Sequence, residues 1–167
     1  MDVNQLKKIF QLREDYKMVK NVTTKYFNEN VYDLKKVDEN EGELKFLGKK
    51  PVLIDFYATW CGPCRVLEPI LEELYTEYDG EVDIYKVNTE DEMELAAAFG
   101  VMSLPTLLFI PKEGKPIISP GAPPMGMLKE LIDEKLLGKE VKKDKKLDDA
   151  VSTFNTLMDK IKKVIDK

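Results

Sequence analysis

Apolar and polar positions change rhythm several times through the middle of the chain. Val52–Tyr57 is a continuous apolar run interrupted only by Asp55, a pattern typical of a strand buried on both faces. Residues 63–78 then carry apolar side chains every three or four positions, Val66 among them, which predicts an amphipathic helix. Residues 81–87 predict a second strand. Because a helix separates the two strands, we expect them to pair in parallel.

A shorter helix and a hairpin are predicted next. Thr89 and Glu92 have the spacing of a capping box, which predicts a helix that begins there and ends at Gly100. The apolar run Thr106–Ile110 predicts another strand, and a short strand at 117–118 follows closely. The short connection between them predicts an antiparallel pair.

The remaining elements complete an α/β architecture. A helix is predicted over 125–137, and Gly138 is placed to end it. Upstream, residues 21–26 predict an edge strand and 27–37 a helix. Since both parallel and antiparallel pairs are expected, the pattern predicts a central mixed sheet flanked by helices.

Two arms flank this central block. Residues 3–19 have weak helical spacing, and residues 147–165 have a clear apolar stripe after a lysine-rich hinge at 139–146. The stripe can pack on its own domain or pair with a second copy of the chain. We expect a monomer, with a homodimer through this helix as the alternative. The predicted division is an N-terminal helical extension (1–20), a central domain (21–138), and a hinge with an amphipathic helix (139–167).

Composition and charge remove several classes of function. A net charge of −5 argues against a nucleic-acid binder. The absence of histidine excludes histidine metal sites, Ser-His-Asp triads and Cys-His proteases. No apolar run approaches the ~18 residues of a membrane-spanning helix. The N-terminus also lacks the apolar region of a signal peptide, so we expect a cytoplasmic protein, or a periplasmic one if a signal was removed.

The strongest chemical signal is the segment Trp60-Cys61-Gly62-Pro63-Cys64, at a predicted strand–helix junction. Cys61 would lie at the helix N-terminus, where unpaired N–H groups favour a thiolate. We expect this thiolate to attack a disulfide and Cys64 to resolve the mixed disulfide. Zinc is a competing interpretation, but two thiols supply only half of a four-ligand site. Two inert thiols or a purely structural disulfide are a second alternative.

These residues and their surroundings resemble the thioredoxin family over roughly residues 21–138. The segment from Val52 through the two cysteines to Pro69 is similar to the active-site strand and helix of that family. The resemblance implies a thioredoxin fold, here with extra N-terminal and C-terminal helical arms. It also implies that the protein reduces protein disulfides through the dithiol.

The resemblance assigns roles to two charged residues. It implies that Asp55 is buried beneath Cys64 and assists its deprotonation, with Lys86 near that aspartate. Burial in an apolar strand should raise the pKa of Asp55, which suits proton transfer. A hydrogen-bonded structural aspartate and an ordinary exposed strand lysine are the alternatives.

A second motif of the family is matched by the loop Ser103-Leu104-Pro105. The resemblance implies a cis proline lying against the dithiol, and a Leu104 backbone that can pair with an extended substrate. Gly121 matches a glycine near the substrate groove, although a plain turn glycine is the alternative. The expected substrate-contacting residues are Trp60, Gly62, Pro63, Ser103, Leu104, Pro105 and Gly121.

The resemblance also implies partners. Substrates would be proteins with disulfides, and the electron donor would be thioredoxin reductase in a cytosol or a DsbD-type membrane donor outside it. We expect no metal, because two thiols and no histidine do not complete a four-ligand site. We expect no cofactor besides the redox-active cysteines, and no bound NADPH, because no nucleotide-binding glycine motif is present. A disulfide isomerase or oxidant remains an alternative, as does an interaction module that acts through its C-terminal helix.

Overall fold

The computed structural model of the protein describes residues 2–5, 19–37, 44–140 and Thr156. Within this part a five-stranded sheet has the order β1-β5-β4-β6-β7, and β2 and β3 form a separate pair. The strands are β1 (Lys20–Asn21), β2 (Tyr32–Val37), β3 (Leu44–Phe46), β4 (Val52–Tyr57), β5 (Asp83–Asn88), β6 (Thr106–Ile110) and β7 (Ile117–Pro120).

Both kinds of strand pairing occur in the large sheet. The central strand β4 runs parallel to β5 and antiparallel to β6, while β7 completes an antiparallel hairpin with β6. The short strand β1 extends the other edge in parallel with β5. The predicted mixed sheet is therefore confirmed, together with the parallel pair and the hairpin.

Four helices surround the sheet in the described part of the chain. They are α1 (Thr24–Asn30), α2 (Gly62–Glu77), α3 (Met93–Ala98) and α4 (Met125–Leu131), and a π-helical turn over Ile132–Leu136 continues α4. Gly138 follows this turn with a φ of +63°, a left-handed conformation that favours glycine. The predicted final helix and its end are confirmed.

The sheet separates two apolar cores, and alternation along β4 decides which residues enter each. Leu53 packs with Leu67, Leu71 and other residues of α2, α4 and the π-helical turn. Ile54, the next residue, packs on the opposite side with residues of α1 and α3. Because side chains two apart share a face of a strand, Asp55 lies on the same side as Leu53, beneath α2.

The prediction for residues 21–37 was only partly right. The edge strand exists, but as β1 it covers only Lys20–Asn21. Helix α1 begins after Thr23, whose hydroxyl accepts a hydrogen bond from the Tyr26 N–H, and it ends at Asn30, so the predicted helix over 27–37 is wrong. The next residues form β2, which pairs with β3. Apolar residues at three- and four-residue spacing suggested a longer helix, but pairing with a distant strand determines the structure here.

Two details of the helices also differ from prediction. Thr89 does not cap α3, because its hydroxyl donates to the Tyr57 carbonyl at 3.0 Å. The helix begins at Met93 with Glu92 as its N-cap residue, which makes no side-chain capping bond. Val66 is exposed and does not belong to the buried stripe of α2.

The two arms lie largely outside the described residues. At the N-terminus, residues 3–5 form a helical turn that the Asp2 carboxylate caps by accepting from the Asn4 and Gln5 N–H groups. The rest of the predicted N-terminal helix, the end of the lysine-rich hinge and the C-terminal amphipathic helix, apart from Thr156, fall outside. Within the described ranges, no helix combines the length and apolar character needed to cross a membrane.

Candidate active site

The two cysteines meet at the start of α2, where the chain leaves the carboxyl end of β4. Cys61 is the N-cap residue, and Gly62 and Pro63 form the first positions of the helix. Cys61 and Cys64 are joined in a disulfide, with their Cα atoms 5.3 Å apart. The Cys64 N–H also points at the Cys61 sulfur, at 3.3 Å from nitrogen to sulfur. A hydrogen-bond donor in this position, added to the helix dipole, would stabilise a thiolate on Cys61 after reduction.

The disulfide lies just below an exposed rim. Both cysteines are only 4% exposed, whereas Trp60 is 68% exposed, and Gly62 and Pro63 are exposed as well. Trp60 and the Gly62-Pro63 spacer are therefore the exposed residues next to the sulfur atoms.

The predicted proline loop lies against the dithiol. The peptide bond between Leu104 and Pro105 is cis, as the resemblance implied. Leu104 packs against the cluster formed by Ala58 and the two cysteines. The Pro105 carbonyl accepts from the Gly121 N–H at 2.8 Å, so Gly121 belongs to the same rim. Its φ of +94° is a left-handed conformation that favours glycine in a turn.

A shallow cavity of about 280 Å³ separates Trp60 from this loop. Leu104 and Ser103 line it, together with Met102, which is 96% exposed. Sequence reasoning missed Met102. The only feature of the sequence that could have indicated its place beside this cavity is its position two residues before Leu104 in the proline loop.

Asp55 is the most unusual charged residue of the core. It is 1% exposed, and neither carboxylate oxygen has a hydrogen-bond partner among the described residues. Burial raises the pKa of Asp55 to about 7; Lys86 partly offsets this effect, and Glu68 adds to it. Neither oxygen is therefore held by a side chain or backbone group of the described residues.

Lys86 is brought beside Asp55 by the parallel pairing of β4 and β5, where the two residues stand in register. It is 8% exposed, which rules out the alternative of an ordinary exposed strand lysine. Its Nζ forms an ion pair with Glu68 Oε1 at 2.6 Å and lies 4.6 Å from the centre of the Tyr57 ring. Asp55 and Lys86 on the sheet and Glu68 on α2 therefore form one group of titratable side chains between the sheet and the start of α2.

Sequence reasoning missed Glu68 as a member of this group. Glu68 follows Cys64 by four residues, so the two share one face of α2. That spacing was the available signal. Cys64, Glu68 and Lys86 line a cavity of about 400 Å³, which Tyr57 and Asn21 also border. The Tyr57 hydroxyl donates to Asn21 Oδ1 at 2.7 Å, which ties β1 to this cavity.

Glu90 supports the loop that precedes the dithiol and was also missed. Its Oε2 accepts from the Thr59 N–H at 3.1 Å and from the Thr59 hydroxyl at 2.7 Å. These bonds lower the pKa of the Glu90 carboxyl. No pattern in the sequence indicated this contact between two loops.

The described residues contain no group of three or more cysteine or carboxylate side chains arranged to hold a metal ion. What they do contain is a disulfide at a helix N-terminus, a proline loop packed on it, and a buried carboxyl under the same helix. This combination defines a dithiol–disulfide exchange protein.

Within that class, the chain belongs to the thioredoxin family, whose model matches residues 18–134. It is 47% identical over 104 residues to thioredoxin from Borreliella burgdorferi, covering 62% of this chain and 86% of that protein. It is 34% identical over 118 residues to the chloroplastic M-type thioredoxin of Pisum sativum, covering 70% and 69%. A crystal structure of chloroplastic thioredoxin z has the same fold, with a TM-score of 0.54, 24% identity, and coverage of 70% of this chain and 92% of that one.

The family and the paired cysteines establish the activity. The protein is a thiol–disulfide oxidoreductase, an enzyme of the disulfide reductase type, and its redox-active pair is Cys61–Cys64. Thioredoxins in general exchange with proteins that contain disulfides and with a thioredoxin reductase, and they need no cofactor for this exchange.

Proposed function

We propose that Cys61 is the attacking sulfur and Cys64 the resolving one. The reduced Cys61 thiolate attacks one sulfur of a substrate disulfide, and the other substrate sulfur leaves as a thiolate that takes up a proton. The Cys64 sulfur then attacks Cys61, and the second substrate sulfur leaves. Two electrons pass from the dithiol to the substrate. The observation that carries this assignment is the position of Cys61 as N-cap of α2, with the Cys64 N–H aimed at its sulfur.

Asp55 is proposed as the group that takes the Cys64 proton before the resolving attack. Its pKa of about 7 lets the carboxyl accept and release a proton in neutral solution. Alternation along β4 puts Asp55 under α2, the helix that carries Cys64. Lys86 is assigned to the same proton-transfer group through its ion pair and its register with Asp55.

The substrate surface is proposed to be the rim around the disulfide. Trp60, Gly62 and Pro63 form one side of it, and the proline loop with Gly121 forms the other. An extended segment of a substrate protein would pair with the Leu104 backbone as an added strand, which would set its disulfide over Cys61. Exposure of Trp60 and Ser103, and the contact of Leu104 with the cysteines, support this surface.

Three further assignments are part of the proposal. The central domain spans residues 21–138, between the two arms. Thioredoxin reductase is the donor if the protein is cytoplasmic, which we expect, and a DsbD-type membrane donor is the alternative for a periplasmic protein. The Cys61–Cys64 pair carries the electrons without any other group.

The experiment that tests the roles of the cysteines is the capture of substrate by the resolving-cysteine variant. We expect Cys64→Ser to accumulate a mixed disulfide through Cys61 with a protein substrate such as insulin, because the bond that Cys64 would break persists. Cys61→Ser is the matched control and should capture nothing and lose turnover. Mass spectrometry of the linked peptides identifies the cysteine, and capture through Cys64 instead would contradict the assignment.

A further inference from the structure

Glu68 occupies a place where an acidic side chain affects the chemistry of the dithiol. It lies one helical turn after Cys64 and borders the same cavity. Its carboxylate holds the Lys86 ammonium at 2.6 Å. The Lys86 side chain is nearly buried and the Glu68 side chain is partly exposed, and both line the cavity.

The surroundings of Asp55 leave few groups to control its charge. On β5, Lys86 stands beside it in register, and on β6 the opposite residue is the apolar Leu107. From α2, Glu68 and the disulfide-bonded Cys64 face this side of the sheet, and Arg65 at the cavity is engaged with the Thr59 carbonyl. Neither Asp55 oxygen is hydrogen-bonded to a described residue, so after burial itself the Lys86 cation and the Glu68 anion are the next largest influences on its charge.

We propose that Glu68 is a positioning residue for the proton transfer at the dithiol: it engages the Lys86 ammonium and so leaves Asp55 able to hold a proton in neutral solution. The inference rests on the proposed role of Asp55 as the acceptor of the Cys64 proton. In that step the Asp55 carboxylate takes the proton, the Cys64 sulfur bonds to Cys61, and the substrate sulfur leaves with the electron pair.

The electrostatics of the group agree with this geometry. Lys86 lowers the pKa of Asp55 and Glu68 raises it, and burial raises it by more than either charge changes it. Removal of the Glu68 charge would lower the pKa of Asp55 in two ways. It would end a repulsion on the Asp55 carboxylate, and it would free Lys86 to stabilise that carboxylate more strongly.

The test compares Asp55 titration in matched variants of the full chain. The carboxyl carbon of Asp55 is followed by ¹³C NMR against pH in the oxidised protein, where the cysteines do not titrate. Glu68→Gln keeps the size and an acceptor oxygen but removes the charge. Glu73→Gln, on the exposed side of the same helix, is the control for net charge. Lys86→Met, alone and combined with Glu68→Gln, tests whether the effect passes through the lysine.

We expect Glu68→Gln to move the Asp55 midpoint to lower pH, and Glu73→Gln to leave it in place. Lys86→Met should move the midpoint to higher pH and reduce the shift caused by Glu68→Gln. An equal midpoint in Glu68→Gln and Glu73→Gln would overturn the proposal, as would a Glu68→Gln shift of the same size with and without Lys86.

A second readout connects this shift to the reaction. In a single turnover of reduced protein with insulin, the pH profile of mixed-disulfide resolution should move to lower pH in Glu68→Gln, in step with the Asp55 midpoint. A profile that stays at the position of the Glu73→Gln control would contradict the inference. The NMR titration uses no substrate, so it is decided separately from the proposed roles of the cysteines in turnover.

Discussion

Asp55 shows how the position of one residue in a strand sets its chemistry. Its neighbours in β4 are apolar, and the pleat of the strand directs its side chain beneath α2. A carboxylate loses hydration there and finds no hydrogen bond within the described residues, so the protonated form is favoured. The same burial that suits proton transfer therefore costs stability whenever the group is charged.

This cost predicts how stability changes with pH. The folded protein holds the Asp55 proton up to about pH 7, whereas the unfolded chain releases it near 3.8. The stability that this proton gives the folded state is therefore complete below about pH 4 and is lost as the pH rises through 7. The interval of about 3 pH units, at about 1.4 kcal/mol each, corresponds to a loss on the order of 4 kcal/mol. Asp55→Asn should escape this loss, so its free energy of unfolding relative to the native chain should rise by that amount between pH 4 and pH 8.

Urea unfolding of the oxidised protein at several pH values measures this difference. Burying an amide in place of the carboxyl adds an offset that does not change with pH, so only the slope tests the prediction. Asp79→Asn, an exposed position, serves as the control and should track the native chain. A constant difference between Asp55→Asn and the native chain across this range would contradict the prediction.

Among individual residues, the sequence predicted those that carry a motif. The two cysteines and the proline loop were found because their order and spacing are specific, and Asp55 because a charge in an apolar run is costly. Glu68 and Glu90 were not found, because a single glutamate on a helix or in a loop has no pattern that distinguishes it from a solvated side chain. Their roles depend on which strands are neighbours, and that is a property of the sheet.

The helices and strands that could be predicted from the sequence are the ones buried in the core. Strands β4 and β6 and helix α2 were predicted almost to the residue, because each is surrounded by apolar partners and its own pattern carries the information. Residues 27–37 were predicted incorrectly as one helix, since their apolar spacing fits either a long helix or a short helix followed by a strand. The choice depends on β3 and on the contact between α1 and α3.

That contact provides a prediction for the stability of the N-terminal elements. Glu92 Oε2 accepts hydrogen bonds from both the N–H and the hydroxyl of Thr24, the first residue of α1. Glu92→Ala should lower the free energy of unfolding by about 1–3 kcal/mol, because both donors lose a charged acceptor. Glu94→Ala, which removes an exposed carboxylate from the first turn of α3, should cost less. Thermal or urea unfolding of both variants measures this, and equal losses would contradict the structural role of Glu92.

For the whole molecule, the arrangement of layers explains why the dithiol is rigidly supported yet reachable. Helix α2 is fixed on the sheet by Leu67, Leu71 and Leu74, all fully buried, so its N-terminus stays at the carboxyl end of β4. The proline loop is fastened to the same edge through the bond between Pro105 and Gly121. The reactive end of the molecule is thus held from both sides by the core.

The C-terminal arm leads to a prediction about assembly. Lys139 still contacts the domain, since its N–H donates to the Asp133 carbonyl at 2.8 Å and its Nζ lies 3.4 Å from Glu81 Oε1. A chain that ends at Glu140 should therefore keep the fold. We expect the full chain and this shorter chain both to sediment as monomers. A full chain of twice the mass, with a monomeric shorter chain, would instead favour pairing through the C-terminal helix.

The acidity of the Cys61 thiol in the reduced protein tests the proposed chemistry at its first step. The rate at which iodoacetamide alkylates Cys61, identified by mass spectrometry, is measured as a function of pH. The helix N-terminus and the Cys64 N–H predict half-maximal reactivity well below the ~8.5 of an unperturbed cysteine. Alkylation of Cys61 with the midpoint of an ordinary thiol, or preferential reaction at Cys64, would contradict the assignment of Cys61 as the attacking thiolate.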